Sequence, residues 1–229
     1  MLKFLIQTYD GDVTDDFSYH LIQAIKYQNW YNRKTVMSYR ITDSALFPKY
    51  IPIGSVEFVE SYLEKYFEKT VKPMNIPQEL MHDKFLGRNV YFESGEVEIV
   101  GEKFVKSNSK IKKYTDFVKD IKLPNDSYMI SDIIDIFSEW RGFVYKGKLV
   151  GLQWYSGDFK KFPEVFKIEE MVHEFKEAPI AYTIDVGVTI DGTFLIECHD
   201  FFSCGLYGFA DYKILPQMFS NWFFDFVKA

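Results

Sequence analysis

Cysteine is scarce in this chain: Cys198 and Cys204 are the only two among 229 residues. Two cysteines do not make the disulfide framework of a small secreted domain. No apolar run approaches the roughly 18 residues that are needed to cross a bilayer. The opening segment, MLKFLIQTY, is too short and too quickly followed by acidic residues to be a signal peptide. These absences predict a cytoplasmic protein with no membrane partner.

An excess of positive charge is also missing. The chain has 27 Lys and Arg against 33 Asp and Glu, and its net charge is −6 at pH 7. This balance argues against nucleic acid as a partner, although KFVKSNSKIKK at 103–113 is a local basic stretch. Repeats and Gly/Ser linkers are absent too. The chain is instead rich in aromatic residues. Its 23 Phe and 16 Tyr can build a substantial core. Nothing in the composition predicts the oligomeric state.

The first third of the chain alternates between strand and helix patterns. MLKFLIQTY is typical of a strand, and Thr14 is a suitable N-cap for the amphipathic helix that follows. A second strand is predicted at 35–41, and a second helix is predicted to begin in the segment IPIGS. This rhythm is that of an α/β layer.

Two prolines in the segment KPMNIPQEL, at 72–80, interrupt this rhythm. We expect a small α/β domain over 1–80 and a second domain over 81–229. The second part is rich in strands separated by turn residues, with one helix predicted at 162–178 and an apolar closing helix. It favours antiparallel sheets with helices packed on them, an α+β layer.

Two acids and a histidine interrupt the apolar pattern of a C-terminal hairpin, YTIDVGVTIDGTFLIECHDF at 182–201. A three-residue loop at 190–192, ending in glycine, would align the apolar residues of both strands on one face. The same register places Asp185 opposite Glu197, with Cβ atoms about 5 Å apart. His199 lies two residues further on the same face.

Two carboxylates at this distance repel each other unless a cation lies between them. A hard divalent ion with oxygen ligands, such as Mg²⁺, would relieve the repulsion. The alternative is a solvated sheet face whose acids point outward.

The hairpin resembles the distal hairpin of the ATP-grasp superfamily. There one strand carries an Asp and the next carries Glu-x-Asn, and the three side chains hold magnesium ions that bridge ATP phosphates. Asp185 and Glu197 match this pattern, whereas His199 stands where the Asn belongs. Imidazole is a poor ligand for Mg²⁺ and a better one for Mn²⁺ or zinc. Either Asp200 or water replaces His199 in the coordination shell, or the metal preference has changed from Mg²⁺ towards Mn²⁺.

Two upstream segments resemble phosphate-binding strands of the same superfamily. SEWRGFVYKGKLVG matches the acid-x-Arg strand, through Glu139 and Arg141, and KFVKS matches the strand whose lysine reaches the phosphates, through Lys106. In LGRNVYF, Arg88 precedes the lysine strand. Together these residues resemble a phage-associated ATP-grasp clade that is named for two arginines and one lysine.

The segment MISDIIDIF stands where the superfamily has its nucleotide hinge. By this resemblance, Asp132 and Ile133 would read adenine through backbone groups, and Asp135 would contact the ribose. The resemblance covers about residues 85 to 212. It implies an ATP-grasp fold in which ATP is held between sheets.

The activity implied by the resemblance is ATP-dependent ligation of a carboxylate to an amine through an acyl phosphate. Arg141 and Lys106 would stabilise the transferring phosphoryl group. Two alternatives stay open. An Asp followed across a hairpin by Glu-x-Lys is also a metal-dependent nuclease arrangement, although His199 takes the lysine position here. A nucleotide-binding protein that has lost catalysis is the other.

Overall fold

A computed structural model of the protein describes residues 1–34, 36–107 and 114–228. Its N-terminal layer contains, in chain order, β1 (Leu2–Gln7), α1 (Asp16–Tyr31), β2 (Met37–Thr42), β3 (Ile51–Ile53) and α2 (Val56–Phe67). The three strands form a parallel sheet in the order β2-β1-β3. The predicted α/β rhythm is confirmed. Thr35, with which the second predicted strand begins, lies outside the described residues.

The segment IPIGS contains a strand that the sequence did not predict. Ile51–Ile53 pairs with β1, and the helix starts only after it, at Val56. Pro52 has no backbone N–H to donate. It is compatible with this strand because β3 lies at the edge of the sheet, where a residue that faces away from the neighbouring strand needs no such donor. Ser55 caps α2 by accepting a hydrogen bond from the backbone N–H of Phe58, at 3.2 Å.

The middle of the chain is a long two-stranded ribbon that folds back on itself. After the short helix α3 (Asp83–Leu86) come β4 (Val90–Ser107) and β5 (Thr115–Ser131). The ribbon bends where Gly101, at φ +74°, donates its N–H to the Asp120 carboxylate. Beyond the bend, the end of β4 pairs with β5 along both of its edges. Lys106 is therefore flanked by strand on both sides, although residues 108–113 of the basic stretch lie outside the described residues.

The C-terminal part is a four-stranded antiparallel sheet in the order β7-β6-β8-β9. Its elements are β6 (Ser138–Tyr145), β7 (Lys148–Gly157), α4 (Val165–Glu174), β8 (Ala181–Thr189), β9 (Gly192–Asp200) and α5 (Leu215–Lys228). Short 3₁₀ turns at Gln78–Leu80 and Tyr212–Ile214 complete the described elements. Mixed helices and antiparallel sheets confirm the predicted fold class.

Three apolar clusters hold these parts together. The first joins the parallel sheet, α1 and α2 to the residues after β9 and to α5. The second lies between the four-stranded sheet and α4, and the third lies inside the folded ribbon. The proposed boundary near residue 80 stays a prediction, because the first cluster draws on both sides of it. No helix of the described chain combines the length and apolarity that crossing a membrane requires.

Candidate active site

The predicted pairing of the two hairpin acids is confirmed. Asp185 of β8 lies opposite Glu197 of β9. The turn, however, differs from the predicted loop at 190–192, because Thr189 pairs with Gly192 and only two residues lie between them. A bulge at Ile196 adds one residue to β9 and restores the predicted register before Glu197 is reached.

Asp185, Glu197 and His199 form a candidate metal site. One donor atom from each lies within 4.8 Å of the others. The His199 Nε2 atom is 3.0 Å from Glu197 Oε1 and 3.9 Å from Asp185 Oδ2. Two carboxylate oxygens and one imidazole nitrogen are a donor set that fits a divalent ion. Asp200 points elsewhere, since its Oδ1 atom accepts a hydrogen bond from Trp222 Nε1 at 2.8 Å.

Arg141 is fixed by Asp185, its partner on the neighbouring strand. The Nε and Nη2 atoms of Arg141 donate to the two carboxylate oxygens at 2.8 and 2.7 Å. Its Nη1 atom donates to the carbonyl of Gly205 at 3.3 Å. Burial lowers the pKa of Arg141, but the bonds to Asp185 outweigh burial and raise the pKa above its usual value. Among the described residues three of its five N–H groups are thus engaged, and two remain for a ligand.

Lys106 reaches the same cluster from the ribbon and forms an ion pair with Glu197. Its side chain is buried, and so is most of the Glu197 side chain. Within the described part of the chain, the cluster holds the two carboxylates of Asp185 and Glu197 and the two cations of Arg141 and Lys106, whose formal charges cancel. Burial without such pairing would be costly for each of these groups.

A cavity of about 460 Å³ opens between the folded ribbon and the four-stranded sheet. Lys106, Arg141, Asp185 and Glu197 form its polar end. Arg88 also lines it, and its Nη1 atom donates to the carbonyls of Leu86 and Leu195, at 2.9 and 3.0 Å. Burial lowers the pKa of Arg88, and no carboxylate within the described part of the chain pairs with it.

The predicted hinge residues occupy two different environments. Asp132 and Ile133 line the cavity of about 460 Å³. Asp132 also accepts from Lys103 at 2.5 Å, and this hydrogen bond lowers the pKa of the carboxyl. Asp135 is exposed, and it is not among the lining residues in the described chain. Glu139 lines the cavity, where its Oε2 atom accepts from the Tyr155 hydroxyl at 2.9 Å.

A second cavity, of about 290 Å³, lies on the other side of the charged cluster. It reaches towards α2 and shares Lys106, Arg141 and Glu197 with the first cavity. Sequence reasoning missed this cavity, because its walls come from segments far apart in the chain. It also missed Tyr155 and Tyr207, which stack on each other beside Arg141.

The chain belongs to the ATP-grasp superfamily. Residues 53–220 match the model of the ATP-grasp domain, R(2)K clade family 3. This match confirms the resemblance on which the sequence-based site rests. Two parts of the resemblance stay predictions: that the clade is associated with phages, and that it is named for two arginines and one lysine.

Solved structures show the same fold at low sequence identity. The chain is similar to an ATP-grasp RimK domain protein of Sphaerobacter thermophilus, with a TM-score of 0.59 and 12% identity over 97% of this chain and 99% of that one. It is also similar to the D-alanine–D-alanine ligase of Bacillus anthracis complexed with ATP, with a TM-score of 0.55 and 12% identity over 100% and 98% of the two chains. N5-carboxyaminoimidazole ribonucleotide synthetase of Thermotoga maritima gives a TM-score of 0.55 and 10% identity over 96% and 76%. No curated protein matches the chain.

Proposed function

We propose that this protein is an ATP-dependent ligase that joins a carboxylate to an amine through an acyl phosphate. The observation that carries the proposal is the charged cluster of Asp185, Glu197, Arg141 and Lys106. It stands where two cavities meet. Phosphoryl transfer needs the attacking group in line with the γ-phosphate, and fixed charges around the group that is transferred.

The larger cavity would hold ATP. Its polar end offers Lys106 and Arg141 to the phosphates, with Arg88 as a further cation in the lining, and the backbone at Asp132 and Ile133 would read the base. The two unused N–H groups of Arg141 lie in a fixed plane, so they can grip two phosphate oxygens at once. Lys106 supplies a compact charge instead. Glu139, and Asp135 after a small movement of the hinge, would bind the ribose.

Asp185, Glu197 and His199 would hold a divalent ion at the phosphates. Such an ion would neutralise phosphate charge and orient the γ-phosphoryl group. The oxygen ligands suit Mg²⁺, whereas the imidazole favours Mn²⁺. MgATP would bring two negative charges to a cluster in which the four described charges cancel, and Arg88 would offset one of them.

The smaller cavity would present the substrate carboxylate. One of its oxygens attacks the γ-phosphorus, the bond to the bridging oxygen breaks, and ADP leaves. The amine then attacks the acyl carbon and releases phosphate, and its proton passes to solvent or to a nearby base. Arg141 and Lys106 would stabilise the charge that spreads over the phosphoryl oxygens in the first step.

Replacement of Glu197 tests this proposal. Glu197→Gln keeps the shape of the side chain but removes a charge from the metal site, so ADP formation should be abolished while the fold stays intact. ADP release and circular dichroism measure the two outcomes. An undiminished rate in this variant would overturn the metal assignment.

Calorimetric titration with a non-hydrolysable ATP analogue and metal distinguishes the other two functions. A ligase binds the analogue and forms ADP from ATP when its substrates are supplied. A nuclease should show no affinity for the analogue. A degenerate nucleotide-binding protein should bind it but form no ADP with any acceptor.

A further inference from the structure

We propose that Asp16, in the first turn of α1, is a positioning residue for nucleotide binding. It ties the loop after β9 against Arg141. This inference rests on the proposed function, since it assumes that Arg141 and the larger cavity receive ATP. The loop concerned is formed by residues 203–209 and is called the Arg141 loop below.

The tether is a pair of hydrogen bonds to one oxygen atom. Asp16 Oδ2 accepts from the backbone N–H of Leu206 at 2.8 Å and from that of Tyr207 at 3.3 Å. Two successive N–H groups that converge in this way form a concave site for an anion. A carboxylate in the first turn of a helix is also favoured by the helix dipole. The N-terminal layer thus supplies the charge that fills this site.

The tether holds Tyr207 in an unusual backbone conformation. Its φ is +49°, in the left-handed region, and Gly208 follows at +84°. This region is uncommon for a non-glycine residue, and a bulky side chain makes it energetically costly. The Tyr207 side chain is half exposed, so its backbone bond to Asp16 is one of the few restraints on its position, beside the ring contacts described next.

The Arg141 loop completes the environment of Arg141. The Gly205 carbonyl accepts from Arg141, as described above, and the Tyr207 ring centroid lies 5.1 Å from the Arg141 Cζ atom. The same ring stacks on Tyr155, with centroids 5.1 Å apart and planes 23° apart. Tyr207 also lines the larger cavity. Loss of the tether would therefore release one wall of the nucleotide cavity and leave the bidentate bond between Arg141 and Asp185 in place.

Other contacts keep the Arg141 loop folded when the tether is removed. Leu206 is fully buried, and Phe209 stacks on Phe143 with centroids 4.4 Å apart. Removal of the Asp16 carboxylate should thus loosen Tyr207 without unfolding the loop or the domain. This separation makes a local effect on nucleotide affinity measurable.

The experiment compares Asp16→Ala and Asp16→Asn with the unchanged protein. We expect Asp16→Ala to raise the Kd for a non-hydrolysable ATP analogue about tenfold, because two hydrogen bonds to a charged oxygen are lost. Asp16→Asn keeps an acceptor oxygen without the charge and should give an intermediate Kd. The rate of ADP formation at saturating ATP should stay within about twofold, because the reacting groups are untouched. Asp12→Ala, which removes an exposed carboxylate nearby, is the matched control and should change neither quantity.

A double variant tests whether Asp16 acts through Tyr207. Tyr207→Ala alone should raise the Kd, and adding Asp16→Ala to it should raise the Kd little further, because coupled residues are not additive. Additive effects, or an unchanged Kd in Asp16→Ala, would overturn the inference.

Hydrogen exchange of the ligand-free protein gives a readout that does not depend on ATP. Asp16→Ala should speed the exchange of the Leu206 and Tyr207 amides, whereas unchanged exchange would show that no tether exists. The unchanged protein could fail to bind nucleotide while Asp16→Ala still speeds the exchange of these two amides. In that case the proposed function is wrong, but the tether between Asp16 and the Arg141 loop exists.

Discussion

The two main sheets of the molecule are built differently at their centres. In the parallel sheet the middle of β1 is apolar, and Phe4, Leu5 and Ile6 have no exposed surface. In the antiparallel sheet the middle of β6 and β8 holds Arg141 and Asp185, which are only 9% and 2% exposed. A buried ion pair is often no more stable than apolar residues of the same size. We therefore expect the first sheet to be arranged for stability, and the second to be less stable than an apolar sheet because it keeps a buried charged pair.

The largest effect should come from removing one member of the buried pair. Asp185→Ala leaves Arg141 buried without its partner, which should lower the free energy of unfolding by about 3–5 kcal/mol. It should also abolish ADP formation. Urea unfolding and an ADP assay measure the two effects. A stability equal to that of the unchanged protein would mean that the pair is not desolvated.

Replacing both members separates stability from function. The double variant Arg141→Met, Asp185→Leu should recover most of the lost free energy of unfolding, because no charge stays buried. ADP formation should remain absent. If the double variant is as unstable as Asp185→Ala, the view that the second sheet gives up stability for its site is wrong.

The parallel sheet should show the opposite behaviour. Leu5→Ala leaves a cavity in the core and should lower the free energy of unfolding by about 2–5 kcal/mol. The Kd for an ATP analogue, measured on the folded fraction, should not change, because no residue of β1 lines either cavity within the described chain. A weaker Kd in Leu5→Ala would show that the two sheets are coupled.

A smaller effect is expected when His199 is replaced by an oxygen ligand. His199→Asn should reduce the preference for Mn²⁺ over Mg²⁺ by on the order of tenfold, because imidazole suits the softer ion. Competition between the two ions can be followed by the electron paramagnetic resonance signal of unbound Mn²⁺ in the presence of an ATP analogue. An unchanged ratio would indicate that His199 is not a ligand.

The smallest effect concerns the two cysteines beside the charged sheet. Burial raises the pKa of the Cys204 thiol to about 12, and it also raises the pKa of the buried Cys198. Both thiols should therefore stay protonated at pH 8 and react with iodoacetamide only after unfolding. Mass spectrometry of native and unfolded samples checks this. Rapid labelling of Cys204 in the native protein would place the residue in solvent.

The sequence predicted the acids of the site better than the elements that carry them. The pair Asp185 and Glu197 could be found because apolar alternation fixes strand register over a short hairpin. The turn could not, since a bulge at Ile196 compensates for a one-residue difference. Bulges of this kind leave no clear mark in a single sequence.

Longer-range features were out of reach for physical reasons. Arg141 and Asp185 lie 44 residues apart in the chain. Their contact depends on β6 lying beside β8, which a single sequence does not reveal. Most of β5 was missed because its outer residues are charged and it contains Pro124, a pattern that favours a loop. The strand β3 was missed because three residues give too little periodicity to distinguish a strand from the start of a helix.

The last helix has a practical consequence for anyone who wishes to dissect the protein. Met218, Phe219 and Trp222 of α5 are packed in the same cluster as Phe4 and Leu21 near the start of the chain. A fragment that starts at residue 81 would expose this aromatic surface to water and should aggregate on expression. Both ends of the polypeptide would have to be kept, or α5 redesigned with polar residues, before the part from residue 81 onwards could be handled alone.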